Sequence, residues 1–441
     1  MPTHVPSKPP KNIIVCCDGT GNQFGPENSN VVKLYTCLTV DGEQVAYYHP
    51  GVGTMGAPNR STSIGKHSSR IGGLAFGYGF TDNIASAYKF LMDEYAEGDH
   101  IYLFGFSRGA YTVRALAGAL YMYGLLCPGN EGHLPYLLKM FSDESRSAYN
   151  KEGTKQVRES VHSRSFRETF SRVVPIHFVG VWDTVSSVGW IYDPVKLLYD
   201  GQNPIVRKGR HAVSVDERRC FFQNNLWGSP LAPEETPLLK ETYQHPSDQR
   251  QDILQVWFPG VHSDVGGSYK QTESGPAMNA FRWMLEEAEA DGLKLNPCKR
   301  KAILGHGCGE FPALSATNQH AEPHTCFHPS LIWGWWLLEP FPHKYFDEKG
   351  KKHWRWVPWP HRRELPDGAI LHPSVRERLA VDSKYRPSNL LKGSIRNFAE
   401  TDDLHLSPAA LKHIRGHNYA VFRTQTKTAQ SRAPRKLRVI E

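Results

Sequence analysis

The chain has 441 residues, with 52 Lys+Arg against 44 Asp+Glu and a formal charge of +8. With 39% hydrophobic and 22% charged residues it is neither disordered nor fibrous, and the charge excess is too small and too little clustered for a nucleic-acid-binding class. No apolar run reaches the ~18 residues of a membrane span, and the start MPTHVPSKPPKNIIVCCDG lacks a secretory apolar region, which predicts a cytoplasmic protein or one exported without a signal.

Residues 1–10 read as a disordered lead. The apolar run Ile13 to Cys17 predicts a strand, and the turn-rich loop Asp18-Gly19-Thr20-Gly21-Asn22 follows it. Asn30 to Leu38 has helical spacing, and Gln44 to Tyr48 reads as a second strand. After a glycine-rich stretch from Gly51 to Gly79, Thr81 to Tyr95 carries apolar residues at helical spacing, and His100 to Phe104 is a third strand. Residues 128–172 are polar and helical in tendency, an insertion. Val173 to Val181 is a buried strand leading into Trp182-Asp183-Thr184, and Arg210 to Phe222 reads as a charged amphipathic helix. Ile253 to Phe258 is a further strand, followed by PGVHSDVGG, and Met278 to Ala290 is helical.

Residues 305–366 are rich in His, Pro and Trp and read as a cap; Ala369 to Leu371 is a short strand, and His372-Pro373-Ser374 opens a helix. Residues 423–441 form a basic tail that reads as disordered. Strands alternating with helices predict an α/β fold, a mainly parallel central sheet with helices on both faces. No repeat or linker divides the chain, so residues 11–422 read as one catalytic body with inserted cap segments. Eight cysteines are too few for a disulfide scaffold; the adjacent Cys16 and Cys17 suit small buried apolar residues in a reducing compartment.

Gly105-Phe106-Ser107-Arg108-Gly109 matches G-x-S-x-G in the context that motif needs, after the strand IYLF and before a helix with apolar Ala110, Val113, Leu116, Ala117 and Leu120. A serine so placed becomes a nucleophile if a histidine takes its proton and a carboxylate orients the histidine. Asp183 and His262 each follow a strand, at the end where open α/β sheets bind ligands. Asp264 and His372 are the rival carboxylate and base, with a weaker strand-end context. The oxyanion would be held by the N–H of Arg108 and by Gly19 or Thr20 of the early glycine loop. The contrasting class, a non-catalytic binding or scaffold protein on a hydrolase fold, runs against the intact Ser, Asp and His.

Other signals carry less. Asp18-Gly19-Thr20 is similar to the loop of aspartate-nucleophile phosphatases, but Cys16 stands where the nucleophile should be. Ile64-Gly65-Lys66-His67 lacks the first glycine and the Ser/Thr of a P-loop. His306, Cys308, His320, His324, Cys326 and His328 lack the spacing of a closed zinc module, so neither metal nor organic cofactor is expected. Six of the eleven tryptophans lie between Trp333 and Trp359, among Lys351, Lys352, Arg355, Arg362 and Arg363. That composition suits a cap packed over the site, and one able to touch a membrane surface.

The blocks CDGTGN, GGLAFGYG, YLFGFSRGAYTVRALAG, GVWDTV, HAVSVDERR and WFPGVHSDVGG, in that order, resemble a large α/β-hydrolase-like family. Its best-understood members are the phospholipase effectors delivered by bacterial type VI secretion. The resemblance covers roughly residues 11–395. It implies Ser107 as nucleophile, Asp183 as orienting acid, His262 as base, and a lipid or other ester as substrate. Unlike those effectors the chain shows neither a long C-terminal membrane-associated portion nor an evident secretion adaptor, so a secretion or immunity partner is compatible with the resemblance but unsupported by the sequence.

Overall fold

The computed structural model describes residues 9–51 apart from 20, 21, 23, 24 and 26; 80–150; 160–309 apart from 186–188, 191, 192, 195, 220, 221, 244–250, 271 and 272; 343–346; 352–355; and 363–424 apart from 399–403 and 405. Nine strands form one sheet: β1 (Asn12–Cys17), β2 (Gln44–His49), β3 (His100–Phe106), β4 (Ile176–Trp182), β5 (Val206–Ser214), β6 (Asp252–Phe258), β7 (Ala369–Leu371), β8 (Gly393–Asn397) and β9 (Ala420–Thr424). Their order is 2-1-3-4-5-6-7-9-8. Strands β1 to β7 pair in parallel; β9 runs antiparallel to β7 and to β8.

Parallel strands need crossovers that cover both faces, so the central strands are buried on both sides. All six residues of β1 and all seven of β4 are buried. The alternation of side chains divides β1 between two cores. Ile13, Val15 and Cys17 pack with Leu91 of α2 (Phe80–Glu94) and Leu116 of α3 (Arg108–Tyr123). Ile14 and Cys16 face Leu34 and the opposite core of Phe281 and Met284. Leu34 belongs to α1 (Asn30–Cys37), and Phe281 and Met284 to the helix Ala277–Glu289. The stretch 128–172 holds two helices, Leu134–Asn150 and Val161–Phe170, and its Leu137, Phe141 and Phe166 join the α3 side of the core.

The order places β2 and β3 on opposite sides of β1, so the chain reverses its direction of travel across the sheet at β1/β3. Such a reversal splays the following loops apart and leaves a crevice at the carboxyl ends of the two strands. Gly19 follows β1 there, and Ser107 follows β3.

Arg210 to Ser214, expected in an amphipathic helix, lie in β5 between β4 and β6. The charges that suggested a solvated face are paired inside: Arg210 Nη2 meets Asp252 Oδ2 at 2.8 Å, and its Nε donates to Glu287 Oε2. Strands β8 and β9 had no counterpart in the sequence pattern; β9 includes Arg423 and Thr424, the first two residues of the stretch read as a disordered tail. Cys298 and Cys308 form a disulfide, whereas Cys16 and Cys17 are buried thiols. Among the described residues no helix is long and apolar enough to cross a membrane. Most of the 305–366 cap, the glycine-rich stretch and residues 425–441 lie outside the described residues.

Candidate active site

Ser107 stands between β3 and α3 with φ 57° and ψ −123°. A non-glycine residue in that conformation costs ~1–3 kcal/mol, and surrounding structure must enforce it. The two motif glycines permit the turn by letting backbones touch. A Cβ on Gly105 would lie 2.6 Å from the nitrogen of Ala110, and one on Gly109 would lie 2.1 Å from the carbonyl oxygen of Cys17. The start of α3 is thus pressed against the end of β1. The Ser107 N–H donates to the Trp182 carbonyl at 3.1 Å, tying the elbow to the residue before Asp183.

Asp183 is fully buried and also has a positive φ, 40°. Its two carboxylate oxygens are divided. Oδ2 faces His262 Nδ1 at 2.5 Å. Oδ1 accepts from Ser214 N at 2.9 Å, Ser214 Oγ at 3.1 Å and Arg363 Nη1 at 2.5 Å. Burial pushes the carboxyl's pKa up, but Arg363 and then His262 outweigh it and hold the acid well below the ordinary carboxylate range. With the carboxylate on Nδ1, that nitrogen carries the proton and Nε2 is left as the basic atom.

His262 begins a short helix, His262–Gly266, and its N–H donates to Glu217 Oε2 at 3.1 Å. Its ring packs on Phe106, the neighbour of Ser107, with centroids 4.7 Å apart, and against the edge of Phe222 at 4.8 Å. The same short helix sits on Phe106 so closely that a Cβ at Gly266 would fall 1.9 Å from the phenyl ring. Burial depresses the pKa of His262, while its bond to Asp183 opposes the shift.

The VDERR segment after β5 anchors this histidine loop. Asp216 Oδ2 accepts from Gly260 N at 2.7 Å and from the Tyr385 hydroxyl at 2.8 Å. Glu217 is buried and accepts from Arg219 Nε at 2.9 Å and Nη2 at 2.8 Å. Burial raises the Glu217 pKa, but Arg219 overrides it and brings it down to about 2. Arg219 in turn lies 3.7 Å over the Phe222 ring.

On the other side of Ser107, Asp18 organises the glycine loop. It accepts from Gly19 N at 2.6 Å, Asn22 Nδ2 at 3.1 Å, Ser29 Oγ at 2.7 Å and the Tyr48 hydroxyl at 2.9 Å. Burial nonetheless raises its pKa above the ordinary value. A Cβ on Gly19 would come 3.2 Å from Ser107 Cβ, so the loop adjoins the serine.

Of the residues singled out from the sequence, Asp183 and His262 are hydrogen-bonded, and Ser107, Arg108 and Gly19 adjoin them or one another. Gly19 donates its N–H to Asp18 Oδ1, and Thr20 lies outside the described residues. The rivals serve helix starts. Asp264 Oδ2 accepts from Val261 N at 3.0 Å. His372 Nδ1 caps its helix by accepting from Ser374 N at 3.2 Å, and burial takes its pKa down to about 3. Of the loose His/Cys group, Cys308 is held in the disulfide and residues 310–342 lie outside the described ones; among the described residues no group of three His, Cys, Asp or Glu could hold a metal. Sequence reading missed Arg363, counted only as a cation among tryptophans, and Asp18. It also missed Glu217, whose signal was present in the VDERR block.

Comparison with known proteins agrees with the family resemblance. The uncharacterized protein YEL023C of Saccharomyces cerevisiae is 26% identical over 554 residues, covering 86% of this chain and 80% of its own. The crystal structure of an uncharacterized protein from Pseudomonas aeruginosa is similar at 17% identity and a TM-score of 0.39, over 70% of this chain and 49% of that one. The Tle1 effector bound to the VgrG spike of the type 6 secretion system gives 17% identity and a TM-score of 0.31, over 59% and 51%. This chain spans about half the length of both solved chains. The family model described as "T6SS, Phospholipase effector Tle1-like, catalytic domain" matches residues 11–287, well over half of the chain, and the chain belongs to that family.

Proposed function

We propose that the protein is a serine hydrolase of carboxylic esters in lipids or phospholipids, working through Ser107, Asp183 and His262. The observation that carries the reading is the buried Asp183–His262 pair, with the His262 ring on Phe106 and Ser107 next in the chain at a strained strand–helix elbow. Membership of a phospholipase-effector family supports the substrate class.

In this mechanism His262 Nε2 takes the Ser107 hydroxyl proton as Oγ attacks the acyl carbonyl. The negative charge passes to the carbonyl oxygen, where the N–H of Arg108 at the start of α3 stabilises it. The imidazolium, held by Asp183 through Nδ1, returns its proton to the leaving alcohol, leaving an acyl-serine. Water then attacks the acyl carbon, gives its proton to His262, and the fatty acid leaves as Ser107 is reprotonated. Asp183 stays ionised throughout, because Arg363 and Ser214 compensate its burial.

The test is labelling with a fluorophosphonate probe, in wild type and in Ser107→Ala and His262→Ala, followed by fatty-acid release from phosphatidylcholine or phosphatidylglycerol vesicles. Labelling lost in both variants, with release in wild type, supports the reading. A folded wild type that does not label, or a Ser107→Ala protein that does, refutes it.

A further inference from the structure

Arg363 follows the tryptophan-rich stretch in the chain and reaches back to the acid of the proposed triad. Its side chain is almost wholly buried. Nη1 meets Asp183 Oδ1 at 2.5 Å and Ser214 Oγ at 2.8 Å, while Nε donates to the Phe222 carbonyl at 2.9 Å. Its own backbone is fixed as well: its N–H donates to the Glu217 carbonyl at 3.3 Å, and its carbonyl accepts from Asn389 Nδ2 at 3.0 Å. Arg363 therefore joins the acid, the VDERR anchor and the Phe222 ring that packs on the base. A structural ion pair would serve equally well anywhere on Asp183. This one takes the single carboxylate oxygen that His262 does not use.

We propose that Arg363 is a positioning residue for this reaction, fixing Asp183 in the rotamer that meets His262 and setting the lower pH limit of catalysis. The proposal rests on the hydrolase reading above. A fixed cation on Oδ1 draws charge from the carboxylate, so the imidazolium on Oδ2 is stabilised less and His262 keeps its basic form to lower pH. Among the described residues, the other charged or titratable groups that act on the pair include His211 from β5 and Glu217 and Arg219 from the segment after β5. Burial is the main cause of the depressed pKa of His262; Arg219 adds to the depression and Glu217 opposes it by favouring the imidazolium.

The experiment is the pH profile of the fluorophosphonate labelling rate constant for wild type, Arg363→Gln and Arg363→Lys, with Ser107→Ala as the control and melting curves for all. The acid limb of such a profile reports the base in the free enzyme. Wild type is expected to show a limb below the ordinary histidine value of about 6.5. In Arg363→Gln the limb moves up by about one pH unit and the plateau falls about tenfold, whereas Arg363→Lys keeps the wild-type limb with a reduced plateau. A purely structural role would lower the plateau without moving the limb.

Labelling abolished in Ser107→Ala, with equal limbs in wild type and Arg363→Gln, overturns the role of Arg363 alone. Labelling that survives Ser107→Ala overturns the hydrolase reading and this proposal with it. Should Arg363→Gln not fold, Arg363→Lys decides: a limb displaced from the wild-type position although the charge is kept overturns the proposal.

Discussion

Gly109→Ala adds one methyl group at the tightest point of the elbow. The new Cβ would stand 2.1 Å from the Cys17 carbonyl oxygen, 2.5 Å from the Asp18 carbonyl oxygen and 2.6 Å from the Cys17 carbonyl carbon, all backbone atoms. An ordinary carbon–oxygen contact lies near ~3.3 Å, so about 1 Å of separation must be found. Strand β1 cannot supply it, being paired along its length with β2 and β3. The first turn of α3 must move, and Ser107 moves with it. Overpacking of this kind costs ~1–3 kcal/mol, and a 1 Å misplacement of a reacting group costs ~10²-fold in rate. Fluorophosphonate labelling should therefore slow by about two orders of magnitude, with a melting temperature lower by roughly 1–3 °C. Gly42→Ala is the control, because a Cβ there meets nothing within 4 Å. Labelling of Gly109→Ala within threefold of wild type, with an unchanged melting curve, would refute the close-packed elbow.

Asp18→Asn should keep the fold but disturb the glycine loop, because an amide cannot accept as the carboxylate does from Gly19, Asn22, Ser29 and Tyr48; labelling slowed by about tenfold or more is expected, and a wild-type rate would contradict it. Asp183→Asn removes the charge that orients His262 and stabilises its imidazolium, so vesicle hydrolysis should fall by about 10³–10⁴-fold; a loss under tenfold would count against the triad. Stability should rise with pH between about 3 and 7. His211 and His372, with pKa values lowered to about 3, are neutral in the fold but bind protons in the unfolded chain below about 6.5, which costs stability on acidification. Glu217 and Glu287, lowered to about 2, add stability above the ordinary glutamate value that is lost as pH falls toward 2. Urea unfolding midpoints that are flat from pH 4 to 7 would exclude this account. Arg114→Met should cost about 3–5 kcal/mol in urea melts, because the buried guanidinium holds the carbonyls of Asp200, Asn225 and Leu226 and stacks on Trp227 at 4.7 Å.

Local pattern alone determined a good deal of this protein. The mostly apolar runs of β1, β4 and β6 marked them as strands with little exposed face, and a serine flanked by Gly105 and Gly109 at the end of β3 marked a sharp strand–helix turn. Because parallel strands all end on one edge, the sequence also placed Ser107, Asp183 and His262 on that edge before any contact was known. Tertiary structure decided the rest. The charges of Arg210 read as a solvated helix until Asp252 and Glu287, 42 and 77 residues away, were seen to neutralise them inside the sheet. Strand-end context favoured His262 over His372 without excluding the latter; the tertiary structure adds that His262 meets Asp183 while His372 caps a helix. Arg363, 180 residues from Asp183, carried no signal of its own. Periodicity records which face of an element is buried, but which charge meets which across a fold depends on long-range register, and no window of the sequence contains it.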